Sequence, residues 1–178
     1  IWMRVLGQVE GSVLWSLKSN RWAEENLKKE AEHRGIDPSR VIFAEKIPHA
    51  EHLARHKHAD LFVDTFNYNA HTTASDALWT GLPIVTKQGR QFAARVAASL
   101  LKAVGLPELI TESEEAYERL ILELAHDRQR LGAIKETLKA NRHTEPLFDT
   151  QRYTRLLEEG LVQAYQQCFG GGEATDVI

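Results

Sequence analysis

His71-Thr72-Thr73 are the residues of this 178-residue chain best placed to do chemistry. They follow Asp60-Leu61-Phe62-Val63-Asp64-Thr65-Phe66-Asn67-Tyr68-Asn69-Ala70, an apolar strand and then a small polar loop, and they open a helical run. The first amides of a helix have no internal acceptor and stand at the positive end of its dipole. A phosphate seated there satisfies them, and threonine hydroxyls add further donors. Hydrogen bonds to a charged group contribute about 1.5–3 kcal/mol each, against about 0.3–2 kcal/mol for the dipole. The discrete donors therefore dominate, and a diphosphate can be held without a lysine-bearing P-loop, which the sequence lacks. A purely structural use competes. Thr73 and Asp76 have capping-box spacing, and Thr72 suits an N-cap. Capping alone leaves His71 and the second hydroxyl unexplained.

A second cluster is His49, His52, His56 and His58. His52 and His56 share a helix face at i, i+4, a spacing known from metal sites. Leu53 stands where a metalloprotease has its glutamate, and no convincing third ligand follows. No metal is expected.

The elements that must position these groups alternate. Strand-like runs at 12–17, 41–43, 61–63, 84–86 and 109–110 are separated by helical runs at 22–34, 48–57, 73–80 and 92–104. The remainder reads as helix at 114–125, 129–141 and 150–169, with a capping-box pattern at Thr111-Glu112-Ser113-Glu114. Such alternation implies an α/β fold, a Rossmann-like parallel sheet with helices on both faces. Ligands of these sheets bind beyond the carboxyl ends of the strands. That selects three loops, 44–48, 64–72 and 86–91. Gly89, in the third, permits close backbone approach.

Composition narrows the class. A hydrophobic fraction of 43% and a charged fraction of 26% are those of a globular domain. A formal net charge of -3 argues against a nucleic-acid platform. No apolar run reaches the roughly 18–20 residues that span a bilayer, and the first residues do not read as a secretion signal. The one cysteine, Cys168, fits a reducing compartment, so a cytoplasmic setting is expected. Residues 1–9 read as the end of a helix, so the chain is expected to be a piece of something longer. One lobe over 1–169 and a flexible glycine-rich tail over 170–178 are expected.

In order, the sequence carries Ser12-Val13-Leu14-Trp15, Arg40-Val41-Ile42-Phe43, Ala59-Asp60, Asp64-Thr65, His71-Thr72-Thr73, Asp76 and Leu78-Trp79. Gly81-Leu82-Pro83-Ile84-Val85-Thr86, Ala94-Arg95-Val96-Ala97-Ala98-Ser99 and Pro146-Leu147-Phe148-Asp149-Thr150 follow. On these residues it resembles, over nearly its whole length, the C-terminal part of the O-linked N-acetylglucosamine transferases and their bacterial relatives. The resemblance implies the C-terminal lobe of a GT-B glycosyltransferase. It implies UDP-N-acetylglucosamine as donor, transfer with inversion to protein serine or threonine hydroxyls, and neither cofactor nor metal.

It implies further that His71, Thr72 and Thr73 contact the pyrophosphate and that Asp76 binds the ribose. Ile47 and His49 would meet the uracil through their backbone, with His52 and Arg55 on the next helix turn. His49 departs from the family's usual lysine, and Lys87-Gln88-Gly89-Arg90 from its usual proline before and acid after the glycine. Arg90 is given no role; Arg95 is expected as a buried ion-pair partner or facing the cleft. The resemblance places the acceptor site, a diphosphate-binding lysine and the general base upstream, so the chain alone is expected to bind UDP weakly and transfer no sugar. The alternatives are a GDP-fucose-dependent protein O-fucosyltransferase and a non-catalytic nucleotide-binding module.

Overall fold

A computed structural model describes residues 1–170; the expected flexible tail lies, from 171 on, outside the described residues. Helix α1 (Trp2–Gln8) leads to β1 (Leu14–Leu17), then α2 (Arg21–His33), β2 (Val41–Ala44) and α3 (His49–Arg55). After β3 (Phe62–Val63) come α4 (Thr72–Thr80), β4 (Ile84–Lys87), α5 (Val96–Ala103) and β5 (Ile110–Thr111). Three helices close the order: α6 (Glu114–His126), α7 (Arg128–Asn141) and α8 (Thr150–Phe169).

Every strand pairing is parallel, as expected for strand–helix–strand units. The sheet is divided. β1 pairs with β2, Leu14 opposite Val41, while β3, β4 and β5 form a second piece in that order. Helices rather than a hydrogen-bonded ladder join the two pieces. In α1, Met3 and Leu6 belong to the small core with Ala31, Ile36 and Val41. Val5 of the same helix and its N-cap residue Ile1 pack on the large core. Side chains four apart lie on adjacent parts of one helical surface, so seven residues can serve two cores.

The large core is centred on β4, whose Ile84, Val85 and Thr86 are fully buried. Leu78, Leu101, Leu106 and Tyr117 surround it from three helices and a turn, each 0% exposed. By contrast, α8 has no buried residue, and the element it packs on most is the turn over 146–148.

Two local expectations are corrected. The pattern at 111–114 is no capping box: Thr111 belongs to β5 and its hydroxyl donates to Thr86 O (2.9 Å). Ser113 is the N-cap of α6 and accepts from Ala116 N (3.1 Å). The helix expected over 92–104 is broken at Arg95, with a 3₁₀ turn before it. The Ala93 and Ala94 carbonyls accept instead from Asn69 N and Gly89 N, both at 2.7 Å, which turns them toward the neighbouring loops and away from an α-helical ladder.

Leu78 ties α4 to this core. Leu78→Ala is expected to destabilise the domain by about 2–5 kcal/mol, read as a lower midpoint in chemical denaturation.

Candidate functional site

At the end of β3 the chain turns around one carboxylate. Asp64 is 1% exposed. Its Oδ1 accepts from Thr65 N (2.8 Å) and Ala70 N (2.7 Å), and its Oδ2 from the Thr86 hydroxyl (2.6 Å). The Asp64 carbonyl accepts from the Tyr117 hydroxyl (2.8 Å). Burial pushes the Asp64 carboxyl above the usual carboxylate range, and the Thr86, Ala70 and Thr65 donors pull the other way. Asn69, also fully buried, donates through Nδ2 to Thr65 O (2.7 Å), while its Oδ1 has no protein partner.

From this loop α4 starts. His71 is its N-cap residue and makes no side-chain cap. Thr72 and Thr73 are the first two helical residues and are exposed. Ala74 N and Ser75 N both turn back to His71 O at 3.1 Å, leaving the Thr72 and Thr73 amides without an acceptor among the described residues. Neither threonine caps the helix, which corrects the competing structural use of Thr72, Thr73 and Asp76. Both threonines reach solvent at this entrance. Behind it, Ala74, Ala77 and Leu78 are buried, so the back of the helix is fixed in the core.

The His71 ring is held from two sides. Tyr68, 65% exposed, stacks on it at 4.6 Å and 15°, and Phe92, 80% exposed, meets it edge-on at 6.1 Å. Its Nε2 lies 3.5 Å from Ala93 O. Next to it, the 86–91 loop is cinched: a Cβ on Gly89 would come within 2.6 Å of Ala94 Cβ, as expected for a close approach. Arg95 is not a buried ion-pair partner. It is exposed and donates to Gly89 O (3.1 Å). Arg90 is exposed as well.

The second cluster spans α3, which packs on α4, and the 3₁₀ turn His56–His58 that follows it. His49 Nε2 is 3.3 Å from Asp76 Oδ2, so the start of α3 and the second turn of α4 meet at one point. Arg55 is tethered: it donates to Glu45 O (2.8 Å) and to His52 Nδ1 (3.1 Å from Nε), and its guanidinium lies 5.5 Å from the Trp15 ring centre. His56 Nδ1 lies 3.0 Å from Thr80 Oγ1. Ile47 is half-buried in the loop between β2 and α3. The structure thus brings His49 to Asp76 and sets His71, Thr72 and Thr73 one turn away on the same helix.

Residues 1–157 match the glycosyl transferase family 41 pattern, most of the chain. The chain belongs to glycosyl transferase family 41. Its relatives in that family include the UDP-N-acetylglucosamine–peptide N-acetylglucosaminyltransferase of Caenorhabditis elegans, 35% identical over 96% of this chain. The probable enzyme of the same name, SEC, of Arabidopsis thaliana is 36% identical over 95%. A solved mutant of the Thermobaculum terrenum O-GlcNAc transferase superposes with a TM-score of 0.83 at 28% identity, over 89% of this chain. The chain spans 15% and 18% of the length of the two relatives and 31% of the bacterial chain. Among the described residues no helix is long and apolar enough to cross a membrane.

Sequence reasoning about this family 41 chain missed the work of Asp64 and the aromatic flanks Tyr68 and Phe92. A buried acid directly after an apolar strand was the available signal for Asp64; nothing local marks the other two.

Burial holds His52 and His56 below the ordinary histidine value of 6.5, with Arg55 adding to the effect on His52 and His52 to that on His56. Asp76 opposes both shifts. A depressed histidine pKa means that the folded state resists protonation. The contribution is therefore present above about pH 6.5 and lost as pH falls through the folded-state value. The melting temperature is expected to fall between about pH 7.5 and about pH 5.5, and His56→Gln is expected to flatten that part of the profile.

Proposed function

We propose that the chain is the nucleotide-sugar-binding lobe of an inverting glycosyltransferase. The enzyme moves N-acetylglucosamine from UDP-N-acetylglucosamine to serine or threonine hydroxyls of proteins. One observation carries the reading: two exposed threonines open a helix whose first amides have no acceptor, beyond the carboxyl end of a parallel strand. The names of the relatives support the donor and the peptide acceptor.

In this reading the Thr72 and Thr73 amides and hydroxyls receive the diphosphate, with His71 beside them. Asp76, one turn along α4, binds the ribose through the oxygen not turned to His49. The uracil lies over the loop after β2, reached by backbone groups of Ile47 and His49 and flanked by His52 and Arg55. Departure of the diphosphate builds negative charge on its oxygens, and fixed donors aimed at that charge lower the barrier. No metal or other cofactor is needed where amides and hydroxyls do this work. The acceptor protein and the general base are assigned to parts of the enzyme outside this chain. An exposed, unpaired Cys168 suits a reducing, cytoplasmic setting.

Calorimetric titration tests the reading. UDP is expected to bind and to outcompete GDP, and Thr73→Val to weaken UDP by about tenfold, the loss of one hydrogen bond to a charged group. Unchanged UDP affinity in Thr73→Val would remove the site from α4. Preference for GDP would favour a fucosyltransferase.

A further inference from the structure

We propose that Asp64 is the positioning residue of this nucleotide site. Its carboxylate acts as an internal anion that draws two loop amides inward and thereby leaves those at the start of α4 facing the ligand. The inference rests on the diphosphate reading above and adds a residue to it that never touches the nucleotide.

The geometry carries the argument. The loop from β3 to α4 is closed on a single oxygen: Thr65 N at its start and Ala70 N at its end both donate to Asp64 Oδ1. The peptide that presents Ala70 N is followed directly by His71, whose carbonyl accepts from Ala74 and Ser75. Fixing Ala70 therefore fixes where α4 begins and which way the Thr72 and Thr73 amides point. Asp64 itself cannot swing. Its other oxygen is held by Thr86 of β4, and its carbonyl by Tyr117 of α6. Thr86 is in turn anchored by Thr111 of β5. The loop's own bonds, Asn69 Nδ2 to Thr65 O and the Thr65 hydroxyl to Tyr68 O, keep its shape, and Asp64 ties that shape to the sheet and to α6.

A carboxylate is suited to this and an amide is not. All three groups facing it, two backbone N–H and one hydroxyl, donate in this arrangement. A charged oxygen accepts two short bonds more strongly than a neutral one. An asparagine would also set an NH₂ against one of the donors. Burying the charge is unfavourable in itself, and the upward push on the carboxyl reports that. A group that is costly to bury yet holds a ligand loop in place fits a functional use better than a stabilising one.

Two substitutions separate positioning from plain structural support. Asp64→Asn is expected to weaken UDP by about tenfold or more and to abolish hydrogen-exchange protection of the Ala70 amide, with the melting temperature unchanged or raised. Leu138→Ala removes a fully buried side chain of α7 that takes no part in holding the loop. It is expected to lower the melting temperature while UDP affinity stays within about twofold. The proposal is overturned if Asp64→Asn fails to fold, or loses affinity only in step with a falling melting temperature. It is equally overturned if that variant keeps both Ala70 protection and UDP affinity. Failure of the nucleotide reading shows up separately, as absence of UDP binding to the unsubstituted chain, and removes the ligand half of the proposal with it.

Discussion

A negative charge removed from water at the end of a strand is the constraint on which the candidate site depends. Asp64 is out of solvent, and three donors compensate it from its own loop and from β4. Buried charges are tolerated when all their partners are supplied. Here the partners are also the groups that decide the course of the chain. Satisfying one carboxylate and shaping one loop are the same event, which couples the core to the surface over a few ångströms.

The same economy governs α4. Its first turn is exposed and unpaired on the inner side of its amides, while Ala74, Ala77 and Leu78 behind it are excluded from water. A helix end can keep free donors only if something else holds the helix, because uncapped ends otherwise fray. Core burial supplies that hold here. At the far end Gly81, at φ +87°, closes the helix in the left-handed region and lets Leu82 turn back onto the core. The start of α4 is therefore stabilised from the opposite face and the opposite end.

Much of the site was legible in the chain itself. A strand, a polar loop and two threonines in register mark a helix start, and the first amides of any helix lack an internal acceptor; where that start is aimed was left to the surroundings of Asp64. The parallel pairing followed from alternating short apolar and helical runs. The capping alternative for Thr72, Thr73 and Asp76 failed because a cap requires a particular backbone angle one residue earlier. His71 took that place, and local spacing alone cannot register a shift of one residue. The buried ion-pair alternative for Arg95 failed for a related reason: one continuous helix was expected over 92–104, whereas carbonyls lent to two loops broke it at Arg95.

What the sequence determined by itself is local and directional: which segments are strands and helices, where donors are left over, and which residues stand at i, i+4 on one face. Backbone geometry repeats over short distances, so these features are fixed without knowledge of the rest of the chain. Tertiary structure alone decided which separated groups meet. Asp64 finds Thr86 and Tyr117 across 22 and 53 residues, and His49 finds Asp76 across 27. Such meetings depend on how helices and strands pack as bodies, and no window of sequence contains that information.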